Sequence, residues 1–158
     1  MPGRCASPAP PEPVCTYCGC ESIEVIGRFM AEHTEIINAA GALRRACQAG
    51  DQAAVETTAD ALADLLSPHT RAEEAGLFAV MRRDEQFTEH IDDLCGEHST
   101  LDAQLAVVRD GDHDAFPAFE ELLRHHIDRE DNGLFPAAAI ALDGPDWVEV
   151  DDSTPPGH

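Results

Sequence analysis

Two short runs in the sequence have the spacing of a cation site. His69-Thr70-Arg71-Ala72-Glu73 and His126-Ile127-Asp128-Arg129-Glu130 each set an imidazole four residues before a carboxylate. On a helix, residues at i and i+4 lie one above the other, so both side chains of each run can reach one centre. His33 and His98 add two more imidazoles, each standing where an aliphatic residue is expected in an apolar stripe. A single buried histidine is ordinarily a core residue with a hydrogen-bond partner. One in each of four stripes is not explained that way, because every buried polar group needs its own partner. Four imidazoles and two carboxylates divided between two cations give three donors each, with carboxylates able to bridge and coordination positions left open. Nitrogen and carboxylate donors with open positions suit Fe, Mn or Zn.

Four stretches of alternating three- and four-residue apolar spacing carry these residues. The first runs Ile23, Ile26, Met30, His33, Ile37, Ala40; the second Val55, Leu62, Leu66, His69, Glu73, Leu77, Val80. The third runs Phe87, Ile91, Leu94, His98, Leu101, Leu105, Val108; the fourth Phe116, Phe119, Leu123, His126, Glu130, Ala137. Each reads as an amphipathic helix. Gly50 ends the first and Asp51 caps the second; Gly111 with Asp112 or Asp114 is expected to do the same between the third and fourth. Pro68 should bend the second helix one turn before His69. Short connections make neighbouring helices antiparallel, so the expected fold is all-α, an up-down-up-down four-helix bundle over residues 22–142. A Pro- and Cys-rich arm, residues 1–21, precedes it. An acidic tail, residues 143–158, follows it and reads as irregular, with Trp147-Val148 as the apolar pair able to fold back on the bundle.

The bundle repeats itself. His69 to Phe78 matches His126 to Phe135, Glu32-His33 matches Glu97-His98, and the turn Gly50-Asp51 matches Gly111-Asp112. The chain is two similar helical hairpins, which predicts an approximate two-fold axis. Gly76-Leu77-Phe78 and Gly133-Leu134-Phe135 read as packing residues that can also wall a dry pocket beside the metals.

Composition limits the functions open to such a bundle. The formal charge is −21 with no lysine among 158 residues, so phosphate backbones and anionic membranes are both disfavoured. No apolar run approaches the roughly 20 residues that span a bilayer, and the N-terminus lacks a secretory leader pattern, so the reading is a soluble cytoplasmic chain. A ferritin-like site needs Glu-x-x-His, and none of the eight histidines has a Glu three residues before it. The His-Glu-x-x-His of a zinc protease is also absent.

With these residues in view, the sequence resembles the hemerythrin-like, HHE cation-binding family over roughly residues 22–142. The most specific parts are the run at 69–78 and the His-Ile-x-x-Glu-Asp…Leu-Phe-Pro run at 126–136. The resemblance implies a non-haem centre of two iron ions, oxo- or carboxylate-bridged, whose open position meets O₂, peroxide or NO. It implies His33, His69, Glu73, His98, His126 and Glu130 as ligands. Asp131, the fifth residue after His126, is the alternative carboxylate, although Glu130 has the better helical phase. Oxygen-carrying members place two histidines four apart on the third helix. Leu94 and Asp102 flank His98 here, so Asp102 is a further alternate ligand and redox turnover, peroxide chemistry or sensing gains over reversible carriage. His125 lies about 100° around the helix from His126 and reads as a rim residue or alternate ligand. His90, His113 and His158 are given no role.

Cys15, Cys18 and Cys20 crowd just before the first helix. Thiolates so spaced can share zinc or another soft metal if a fourth ligand such as Cys5 joins them; a redox switch and the absence of any special role remain open beside that. Cys47 and Cys95 read as small helical residues. Three functions follow: a di-iron protein that binds or reduces a small oxidant, an iron- or oxygen-responsive regulator acting on an unspecified partner protein, and a non-redox zinc module.

Overall fold

The computed structural model describes residues 20–157. Among them there is no strand. The fold consists of helices α1 (Glu24–Ala49), α2 (residues 52–81), α3 (Glu85–Arg109), α4 (residues 116–141) and α5 (Gly144–Ser153). α1 packs on α2, α2 on α3, α3 on α4 and α4 on α1, so the contacts of the four long helices close into a ring. No helix among the described residues is long and apolar enough to cross a membrane.

Local chemistry sets the turns. Gly50 takes φ 64, a left-handed conformation that costs other residues, and its N–H returns to the carbonyls of Ala46 and Cys47. Asp51 then caps α2 by accepting from the Ala54 N–H at 3.1 Å. The matching turn within the second hairpin departs from its sequence match. Gly111 has φ 119, but neither Asp112 nor Asp114 caps α4. A 3₁₀ turn, His113–Ala115, leads into α4 instead, with Pro117 in the first turn lowering the number of N–H groups that need an acceptor.

The residues after 142 also differ from expectation. They are not irregular: Asp143 and Asp146 form a reciprocal capping box, each backbone N–H reaching the other's carboxylate at 3.1 Å, and Pro145 presets the first turn. Val150 is fully buried and Trp147 packs against the core, which gives this short helix an apolar anchor, whereas Val148 faces outward.

α2 runs on through Pro68, and both α2 and α4 contain a π turn just past their His-x-x-x-Glu run, at Glu74–Phe78 and Glu130–Leu134. The core falls into two apolar clusters. One holds Phe29, Leu77, Leu94 and Leu134; the other holds Ile36, Leu66, Leu101 and Leu123. On each long helix the histidine register lies between the residue it gives to one cluster and the residue it gives to the other. A polar layer therefore crosses the bundle between two apolar ends.

Candidate metal centre

That layer consists of His33, His69, Glu73, His98, His126 and Glu130, all buried, with the two glutamates fully so. Their donor atoms form two groups: His33, His69, Glu73 and Glu130, and then Glu73, His98, His126 and Glu130. Both carboxylates belong to both groups. Glu73 Oε1 lies 3.0 Å from His69 Nε2 and 3.6 Å from His33 Nε2, while its Oε2 lies 3.3 Å from His98 Nε2. Glu130 mirrors it: Oε2 is 3.1 Å from His33 Nε2, and Oε1 is 2.5 Å from His126 Nε2 and 3.8 Å from His98 Nε2. Each half of the layer is thus two imidazoles from one hairpin plus one oxygen from each glutamate. The donors number four per half rather than the three obtained by simple division.

Most of these donors converge as ion-pair neighbours without a hydrogen bond. His33 Nε2, His69 Nε2 and all four carboxylate oxygens of Glu73 and Glu130 are buried with no hydrogen bond. His98 Nε2 and His126 Nε2 face each other at 3.1 Å, an approach in which one nitrogen must offer its lone pair. A buried polar group without a hydrogen bond costs about 1–3 kcal/mol, and more if it is charged, so six in one layer favour a shared cation as partner. A cation suits these contacts: two donors bonded at about 2.1 Å to one ion are no more than ~4.2 Å apart, and the imidazole–carboxylate distances given above all fall within that limit.

Every imidazole is fixed from behind. His69 Nδ1 meets Glu32 Oε2 at 2.7 Å, and His126 Nδ1 meets Glu97 Oε2 at 2.7 Å. His98 Nδ1 meets Glu74 Oε1 at 2.7 Å, and His33 Nδ1 meets Asp131 Oδ1 at 2.8 Å. A carboxylate on Nδ1 holds the ring with Nε2 as the inward donor, the usual support of a metal-bound histidine. The pattern obeys the internal repeat. The acid before the first histidine of a hairpin supports that hairpin's second histidine, and the acid after its glutamate reaches the first histidine of the other hairpin. Phe78 stacks on His98 and Phe135 on His33 in the same symmetric way, at 5.7 and 5.9 Å between centroids.

Without a cation the layer is a cluster of ion pairs. Burial opposes charge on every member, but the carboxylates on both sides of the rings outweigh it at the imidazoles. His69 is raised to about 9 and His98 to about 11, and His33 is well above its ordinary value. Burial and the Glu73 charge push Glu130 up, yet the imidazoles, His126 foremost, bring it down to about 2. Glu73 likewise lies well below the carboxylate range.

Comparison with known proteins decides the family. The model of the hemerythrin HHE cation binding domain matches residues 24–138. The chain belongs to this family. No curated protein and no solved structure matches it. As a hemerythrin-family chain it is a cation-binding helical bundle whose buried His and Glu clusters are able to hold metal.

The other residues singled out in the sequence fall elsewhere. Asp131 stands behind His33 and outside both donor groups, while Asp102 and His125 are exposed and apart from them. Leu94 is buried in the apolar cluster one turn before His98. Cys20 is buried against that cluster; Cys5, Cys15, Cys18 and His158 lie outside the described residues. The sequence reading missed the supports Glu32, Glu74 and Glu97, and missed His90, whose Nδ1 receives Arg129 at 3.1 Å while Arg129 also pairs with Glu97. The signal was present as acids recurring at matched positions of the repeat. His113 contacts Gln52 at 2.8 Å and ties the two inter-helix turns together, away from the layer.

Proposed function

We propose that this chain is a non-haem di-iron protein that binds or reacts with a small oxidant or radical ligand, O₂, peroxide or NO, as an oxygen- or redox-responsive protein or an oxidoreductase. In this reading the four long helices form an up-down-up-down antiparallel bundle in a cytoplasmic protein. The ligands are His33, His69, Glu73 and Glu130 for one iron, and His98, His126, Glu73 and Glu130 for the other. The observation that carries it is the pair of buried glutamates, each with one oxygen turned toward each imidazole pair and none of the four oxygens hydrogen-bonded. Two carboxylates common to both donor groups would serve two like cations, and mixed imidazole and carboxylate donors match iron better than a thiolate-preferring metal.

Bound iron would supply electrons and an open coordination position for the small ligand. The chain's own residues do the rest. Four imidazoles are held by acids so that Nε2 faces inward, Phe78 and Phe135 cover His98 and His33 with apolar faces, and the clusters above and below exclude water. A zinc module would use the same six residues but leave the protein colourless and indifferent to oxidants.

The test is expression with iron, metal quantification by mass spectrometry, and visible spectra in air and after anaerobic reduction. About two irons per chain, with absorption that changes on exposure to O₂, peroxide or NO, is the expected result. A colourless chain holding zinc or nothing overturns the di-iron reading.

A further inference from the structure

We infer that Arg28 is a positioning residue for His69 and that residues 154–157 hold it in place, so that this short strap governs metal retention in the His33–His69 half of the layer. The inference rests on the metal reading above.

Three hydrogen bonds link the strap to the ligand. Arg28 donates from NH1 to the Pro155 carbonyl at 2.8 Å and from Nε to Glu32 Oε1 at 2.8 Å. The other oxygen of Glu32 accepts from His69 Nδ1 at 2.7 Å. The strap is seated at both ends. A Cβ added to Gly76, in the α2 π turn, would lie 1.9 Å from Thr154 Oγ1 and 3.2 Å from the Val150 carbonyl, so the strap crosses there with no room for a side chain. At the other end, a Cβ on Gly157 would lie 3.0 Å from Arg28 Nε and 3.4 Å from Glu32 Oε1. Between strap and helices is a cavity of about 250 Å³ bordered by Leu65, Pro68, His69, Pro156 and Gly157. Withdrawal of the strap would open that cavity onto the His69 ring and free Arg28 from its outer contact.

The other half is built without a strap. Glu97 on His126 is held by Arg129, which His90 supports in turn. The repeat does not supply these arginines: the position matching Arg28 is Asp93, and the one matching Arg129 is Ala72. The two halves are alike in ligands and unlike in what stabilises the acids behind them, which provides an internal control.

The experiment loads the full chain, a chain shortened after Ser153, Arg28→Gln, Arg129→Gln and the shortened Arg28→Gln chain with Fe(II) without air, then follows iron loss to excess chelator. Loss of a supporting partner typically weakens a metal site 10–100-fold, so one of two irons should leave the shortened chain and Arg28→Gln about tenfold faster or more, with the other at the full-chain rate. Combining the two changes should add nothing further, because both act through Glu32, whereas Arg129→Gln should speed the other iron. Unchanged rates in Arg28→Gln, equal acceleration of both irons, or multiplied effects in the combined chain overturn the inference. A full chain that takes up no iron defeats the metal reading itself; one that holds two irons while the variants behave like it defeats only the role of the strap.

Discussion

At the scale of single residues, the question the sequence left open was which acid of Glu130-Asp131 belongs to the layer. Helical phase favours Glu130, which faces the layer; what phase does not reveal is that Asp131 reaches across to His33 on α1. The two roles separate by mutation. Glu130→Gln should lose most bound metal, since that carboxylate faces both imidazole pairs, whereas Asp131→Asn should keep both metals with affinity lowered about 10–100-fold. A competition titration against a chelator of known affinity distinguishes them, and equal losses would contradict the assignment. Protons give a second prediction, for the metal-free chain. His69 and His98 are raised from 6.5 to about 9 and about 11, so their stabilisation is complete below pH 6.5 and lost as pH rises through those values. Glu130 is lowered from 4.5 to about 2, so its contribution is complete above pH 4.5 and lost as pH falls through 2. Melting of the metal-free chain should therefore peak between about pH 4.5 and 6.5. Loaded protein should lack the alkaline decline, because its imidazoles hold metal in place of protons.

At the scale of elements, apolar periodicity was enough to place the four long helices and to turn their histidines inward. It failed where the helix was short or its geometry changed. α5 carries too few apolar residues for periodicity to register, yet its start was written in Asp143, Pro145 and Asp146. The π turns leave no such trace, since an extra residue in a turn is set by packing rather than by a residue type. They make two glycines of the repeat unequal. Gly76 lies beneath Thr154, while a Cβ on Gly133 meets nothing within 4 Å, and neither has positive φ. Gly76→Ala should destabilise by about 1–3 kcal/mol through overpacking, and Thr154→Gly should restore much of it. Gly133→Ala should be neutral or stabilising by up to about 1 kcal/mol through reduced backbone freedom. Chemical denaturation of the three variants checks both signs.

At the scale of the whole molecule, two apolar clusters are joined through a layer most of whose inward donors lack hydrogen bonds, so metal and fold should be thermodynamically linked. Adding metal to the metal-free chain should raise its melting temperature in a concentration-dependent way, by an amount equivalent to about 2.7 kcal/mol at a hundredfold excess over the dissociation constant. A melting temperature indifferent to iron would mean that the layer is satisfied without it. The shared glutamates carry a last consequence. Each hairpin brings two imidazoles and one carboxylate, and that carboxylate spends one oxygen on its own imidazoles and lends the other across the interface. A hairpin is thus half of an exchange, complete only when a second hairpin returns the loan. Cut in the turn between α2 and α3, the chain would become two fragments whose apolar faces still fit each other, and whose reassociation should tighten when ions fill the layer that neither fragment completes alone.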